Sequence, residues 1–278
     1  MTIGFILFEQ FWQRKSIGSS RIRGTWVMEE LNKMEGVQAE PFVQGKMYDV
    51  LIFQKVYWKE MARNAKALKI LDICDPDWLD GAEVVSFMKE MDIVTTSTER
   101  LAEDLRKMTD KPVYCIPDRV KMDGLPTPKQ HHGQAKKVVW FGYSHNIDVL
   151  EPAYLKLRKM NLILLIIADG NVQISDCQNE FLKWDIETVN QNIQNADIVL
   201  LPEWTKGRFA YKSNNKTLQS WALGMPVAKT PADLERFLDP EERNKEAKIR
   251  YQEVLDKWQV KQSADELVKI IKIWNSKD

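Results

Sequence analysis

The run Asp197-Ile198-Val199-Leu200-Leu201-Pro202, then Lys212-Ser213-Asn214-Asn215-Lys216-Thr217-Leu218-Gln219, then Ala222-Leu223-Gly224-Met225-Pro226-Val227-Ala228 decides the architecture. Its first part reads as an apolar strand over 197–201, stopped by a proline. The second opens a helix, expected over 215–223, which Gly224 closes at the position just past the last turn, where a left-handed residue is favoured. The third is another apolar strand, 226–228. Short strands that are apolar throughout are buried on both faces, which marks a parallel sheet covered by helices. Outward from this run, 138–141 and 162–168 read as further strands, and Thr230-Pro231-Ala232-Asp233 offers a capped helix start with Pro in its first turn.

The first half shows the same alternation without repeating the sequence. Apolar runs at 3–8, 49–53, 69–73, 92–96 and 113–116 read as strands, and Leu101, Leu105 and Met108 mark one face of a helix over 98–108. From Asp118 to Lys137 the pattern lapses, with Gly124-Leu125-Pro126-Thr127-Pro128 and His131-His132-Gly133 as turn signals, and an interdomain linker is expected there. Ser263-Ala264-Asp265-Glu266 has the form of a capping box and predicts a last helix with an apolar stripe of Leu267, Ile270, Ile271 and Trp274. The expected division is a Rossmann-like domain over 1–130, a second over 131–260, and a helix over 261–278 that crosses back to the first and packs across the junction.

Several function classes drop out on composition. Forty Lys+Arg balance forty Asp+Glu, which argues against a general polyanion binder driven by counterion release. At 44% hydrophobic and 29% charged residues the chain is an ordinary folded protein. The longest apolar run, 162–168, is far short of the roughly 18–20 residues that span a bilayer, so no transmembrane segment is expected. The opening Met1-Thr2-Ile3-Gly4-Phe5-Ile6-Leu7-Phe8 reads as a strand rather than a signal peptide, and with three unpaired, widely spaced cysteines this predicts a reduced, cytoplasmic protein. His131-His132 has no third ligand in sight, so no metal site is expected. Ten tryptophans are many for this length; Trp12, Trp58, Trp78 and Trp204 fall near loops, where rings can stack on sugars or bases.

In an open α/β sheet, ligands bind beyond the carboxyl ends of the strands, where helix N-termini offer N–H groups to anions. Lys212-Ser213-Asn214-Asn215-Lys216 sits at such a place, and two ammonium groups with short polar side chains at a helix start suit a diphosphate. Trp140-Phe141-Gly142-Tyr143-Ser144-His145-Asn146 is a strand-to-helix turn in which Gly142 permits close backbone approach. His145 is the histidine best placed for proton transfer. In the first half, Ser20, Arg21 and Arg23 offer a second anion contact, to phosphate or to an acceptor, since guanidinium forks match phosphate oxygens.

Trp184, Glu187, Ile193, the strand 197–202, Lys212, Lys216-Thr217-Leu218-Gln219 and Ala222-Leu223-Gly224-Met225-Pro226-Val227 together resemble, in order and spacing, the donor-domain signature of group 1 (GT4-like) glycosyltransferases. The resemblance covers about 180–230 and implies a GT-B-like fold: two Rossmann-like domains facing across a cleft. It implies a nucleoside diphosphate sugar as donor, held by Gly142, Tyr143, Lys212, Ser213, Asn214, Asn215, Lys216 and Gln219, with retention of configuration and neither cofactor nor metal required. Ser19-Ser20-Arg21-Ile22-Arg23 is similar to a loop of some GT-B proteins. Many members carry paired glutamates where this chain has Tyr211 and Gln219. Asp75-Pro76-Asp77 matches the metal-binding spacing of the unrelated GT-A fold, but in a GT-B setting Asp75 is instead a candidate base.

The expected function is therefore sugar transfer from a nucleoside diphosphate sugar to a glycan, a small molecule or a modified base in viral DNA. Two alternatives predict different behaviour. A non-catalytic partner subunit would bind donor without turnover, and a sugar-nucleotide epimerase would form product from donor alone.

Overall fold

The computed structural model describes residues 1–11, 17–172, 174–203 and 206–276; Trp12, Ser16 and Trp204 lie outside them. The chain forms two compact units. Unit 1 comprises Met1–Lys121, Lys206–Asn214 and Gln259–Asp278, and unit 2 comprises Met122–Thr205 and Asn215–Trp258.

Unit 1 holds a six-stranded sheet of β1 (Thr2–Leu7), β2 (Gln38–Pro41), β3 (Val50–Gln54), β4 (Leu68–Ile73), β5 (Ile93–Thr96) and β6 (Val113–Cys115), in the order β2-β1-β3-β4-β5-β6. Every pairing is parallel. Alternate residues serve opposite faces, as the pleat requires: Val50 and Ile52 of β3 pack into one core with Phe5, Leu31 and Ile271, and Leu51 and Phe53 pack into another with Phe87 and Leu105. The helix Glu99–Arg106 starts from Thr98, whose hydroxyl accepts the Leu101 N–H.

Unit 2 repeats the plan with β7 (Lys137–Gly142), β8 (Ile163–Ala168), β9 (Asn179–Lys183), β10 (Ile198–Leu200) and β11 (Val227–Ala228), all parallel in the order β11-β10-β7-β8-β9. Val138 and Trp140 face one core and Val139 and Phe141 the other. The helix Asn215–Ala222 ends before Gly224, whose φ is +71°. Thr230 and Asp233 make a reciprocal capping box at the start of Pro231–Arg236, with Pro231 in its first turn.

Three features depart from the sequence reading. The last helix, Val260–Asn275, begins one turn earlier than 263, with a capping box between Gln259 and Gln262. Ser263 is buried inside it and accepts a hydrogen bond from Arg119. This helix packs within unit 1, burying Ala264, Leu267 and Ile271 against Val27, Met28 and Leu31.

Second, residues 122–136 are built into unit 2 rather than spanning as a linker. The Lys129 N–H donates to Leu223 O, Lys129 Nζ to Gln194 O, and the fully buried Arg243 donates to Gly133 O. Third, residues 206–214 pack in unit 1, because Tyr211 donates to Asp104, Lys212 to Asp75 and Ser213 to Asp118.

Candidate functional site

The carboxyl edge of the unit 2 sheet gathers most of the residues expected to hold a donor. At the end of β7 the chain turns through Gly142 and Tyr143 into a short 3₁₀-helix of about two turns, Ser144–Leu150. The Ser144 N–H donates to Asp169, just past β8, at 2.7 Å, which ties the two strand ends together and holds the Asp169 carboxyl below its ordinary range. Tyr143 is exposed, and His145 stacks on its ring at 5.6 Å with 18° between planes. The crossover from β10 to β11 brings the N-terminus of Asn215–Ala222 to this same edge, where the dipole of the helix favours an anion.

Lys216, in the first turn of that helix, reaches back over β7. Its Nζ lies 5.0 Å from the Trp140 ring centre and 5.8 Å from that of Phe141. These rings belong to opposite faces of the sheet, so an ammonium group meets both only at the strand end. Gly142 leaves the space: a Cβ there would lie 2.4 Å from Lys216 Nζ. Gln219, one turn on, donates to Asn190 Oδ1 at 2.7 Å. Gly142 and Lys216 thus form one feature, which spacing alone does not reveal.

The run 212–216 is divided between the units. Lys212 Nζ pairs with Asp75 and Ser213 Oγ donates to Asp118, both within unit 1, whereas Asn215 and Lys216 belong to unit 2; Asn214 is the last residue on the unit 1 side. Asp75 also receives Lys55 Nζ at 2.7 Å. Burial raises the Asp75 pKa, but Lys55 and Lys212 more than reverse this and keep the carboxylate below its ordinary range. A carboxylate between two ammonium groups is a weak proton acceptor. Its neighbour Asp77, which accepts from Tyr57 at 2.7 Å, moves upward because burial outweighs its donors.

Arg23 is buried. Its Nε and Nη2 fork onto Asp72 at 2.7 and 2.6 Å, and Nη1 donates to Asp118 and to Ile116 O at 2.8 and 2.9 Å. The guanidinium ties the ends of β4 and β6 together, and ligand contact would require breaking these pairs. Ser20, fully buried, donates to Gln54, and Arg21 lies 5.7 Å from the Trp26 ring. The sequence signal for Arg23 pointed to phosphate because its carboxylates, Asp72 and Asp118, are distant in the chain.

His131 is 2% exposed, with Nε2 at 2.8 Å from Gly224 O and Nδ1 buried without a partner among the described residues. Nε2 therefore carries the proton, and a second proton would place an N–H in the interior with no acceptor. Burial, aided by Lys129 and Arg243, lowers its pKa to about 4. The unfolded chain takes up this proton near pH 6.5 and the folded chain near 4, so in that window the unfolded state binds more protons and stability drops as the pH is lowered. Urea unfolding is expected to show a loss of about 2 kcal/mol from pH 7 to pH 5 that a His131→Gln variant lacks.

Among the described residues, no group of three His, Cys, Asp or Glu side chains could hold a metal ion, and no helix is long and apolar enough to cross a membrane. The edge of unit 2 offers an ammonium group, a helix N-terminus and a glycine turn, groups complementary in charge to a phosphate-bearing anion, with the exposed Tyr143 and His145 rings beside them.

No family model matches the chain, and no curated protein matches it. Solved structures do. HepE from Anabaena, in complex with UDP and glucose, superposes at a TM-score of 0.72 over 98% of this chain and 99% of its own, at 9% identity. The lipopolysaccharide outer core galactosyltransferase WaaB superposes at 0.60 over 96% of this chain and 99% of its own, at 12% identity. TarM of S. aureus superposes at 0.63 and 13% identity over 79% of this chain, which spans only 54% of the length of TarM. Two parallel-sheet α/β units with six and five strands, matched over nearly the whole length by HepE and WaaB, give this chain the fold of the GT-B glycosyltransferases.

Proposed function

We propose that the chain is a glycosyltransferase that takes its sugar from a nucleoside diphosphate donor bound at the carboxyl edge of unit 2. The observation that carries this reading is the Lys216 ammonium group held at the end of β7, in the space that Gly142 leaves open. The diphosphate lies on Lys216 and the N-terminus of Asn215–Ala222, with Gln219 and the Tyr143 turn flanking it. As the glycosidic bond breaks, negative charge grows on the leaving diphosphate, and a preorganised cation at that point stabilises the transition state more than the ground state. Lys212, Ser213 and Asn214 belong to unit 1 and are given no part in this reading.

His145, stacked on Tyr143 at this edge, is the proposed proton-transfer group; the ion pairs of Asp75 make it the weaker choice. The resemblance to group 1 enzymes supports retention of configuration, which the anomeric coupling of the product in NMR tests. The acceptor is to be sought among glycans, small molecules and modified DNA bases.

Calorimetric titration with UDP, GDP, ADP and dTDP tests the donor assignment, with UDP first because HepE was solved with UDP and with UDP-glucose. One nucleotide is expected to bind clearly above the rest. Binding of none at millimolar concentration would overturn the reading. Because Lys216 and the helix supply the positive charge, affinity and transfer are expected to be the same in EDTA as in Mn²⁺; an absolute requirement for the cation would show that metal, not lysine, carries the diphosphate.

A further inference from the structure

Trp140 sits where no ligand can touch it, at 1% exposure in the core of unit 2. It is nevertheless the ring nearest the Lys216 ammonium of those that Lys216 faces, 5.0 Å from centre to Nζ against 5.8 Å for Phe141. Its Cζ2 and Cη2 lie 3.1 and 3.2 Å from the point where a Gly142 side chain would begin, so the six-membered ring of the indole floors the space over which Nζ sits. A lysine side chain has four rotatable carbon links, and an ammonium group left in water explores many positions. The negative face of an indole is the strongest aromatic attractor for a cation, and more so out of water.

We infer that Trp140 is a positioning residue, whose indole face holds the Lys216 ammonium over Gly142 and so preorganises it for the diphosphate of the donor. The inference rests on the donor assignment above and adds to it a residue that never meets the ligand. Preorganisation raises affinity by removing the ordering cost from the binding step. The effect must therefore pass through Lys216 and through the phosphates alone.

The test is a double-mutant cycle on binding of the nucleotide that the wild type prefers, together with the parent nucleoside, which lacks phosphates. Trp140→Leu is expected to weaken nucleotide binding by roughly 3- to 30-fold, Trp140→Phe by less because a ring remains, and neither to change nucleoside binding. In the Lys216→Ala background both substitutions are expected to have no further effect. Melting curves establish that each variant is folded, and should Trp140→Leu not fold, the Trp140→Phe arm of the cycle decides. Equal losses with and without Lys216, or equal losses for nucleoside and nucleotide, would overturn the inference and mark Trp140 as packing only. Failure of the wild type to bind any nucleotide would instead sink the donor assignment on which it rests.

Discussion

Replacing Arg23 with methionine is expected to lower the stability of the protein by about 3–5 kcal/mol, the usual consequence of removing one partner from a buried ion pair. Asp72 and Asp118 are each more than nine-tenths buried at the side chain, and both pair with this one guanidinium. Methionine fills similar space but leaves two carboxylates facing each other out of water, with Thr95 still donating to Asp72 and Ser213 to Asp118. Lysine cannot replace the fork, because one ammonium does not reproduce parallel donation to Asp72 together with a bond to Asp118. Urea denaturation of the wild type, Arg23→Met and Arg23→Lys measures this directly. A loss below about 1 kcal/mol, the range of exposed pairs, would mean that the pairs are dispensable and would return Arg23 to the set of ligand contacts.

Two substitutions on one feature of unit 2 should agree. Lys216→Ala removes the ammonium group, and Gly142→Ala displaces it, because the new methyl group would lie 2.4 Å from Nζ. The lysine can swing away, being the end of a flexible side chain, and Gly142 does not have positive φ, so the fold tolerates the change at the cost of a tight contact with Trp140. Both variants are expected to bind the preferred nucleotide about 10- to 100-fold more weakly, equivalent to one charge-assisted hydrogen bond set of about 1.5–3 kcal/mol, while their melting temperatures stay near that of the wild type. Normal binding by a folded Gly142→Ala variant would show that the diphosphate is held elsewhere.

The limits of reading the chain residue by residue fall along a physical line. Apolar runs marked nine of the eleven strands among the described residues within a residue or so of their ends, because burial on both faces selects apolar side chains along most of each strand. The two strands that were missed, β2 with its terminal Pro41 and β9 with the sequence Asn-Glu-Phe-Leu-Lys, lie at the edges of their sheets. At least half of the residues in each are exposed, unlike those of β6 and β11 at the opposite edges, so their composition looks like that of a loop. Gly224 and the Thr230–Asp233 box were legible because a helix end is decided within one turn of chain. Ser263-Ala264-Asp265-Glu266 had the same local form and was overruled by Arg119, which lies 144 residues away.

The site divides in the same way. That a cationic helix start follows a buried strand, and that a glycine turn follows another, was written in the order of the residues and needed no coordinates. Which cation meets which partner was not, since charge pairing has no sequence period. Arg23 finds carboxylates 49 and 95 positions away, Lys212 finds Asp75 at 137, and Lys216 finds the end of β7. The sequence by itself determined the two parallel α/β units and the chemistry available at their strand ends, because these follow from local apolar pattern and turn geometry. Only the tertiary structure decided that Arg23 and Lys212 are held by carboxylates while Lys216 rests on an aromatic face, because desolvation and distance, which set the strength of every charge, are properties of the folded chain.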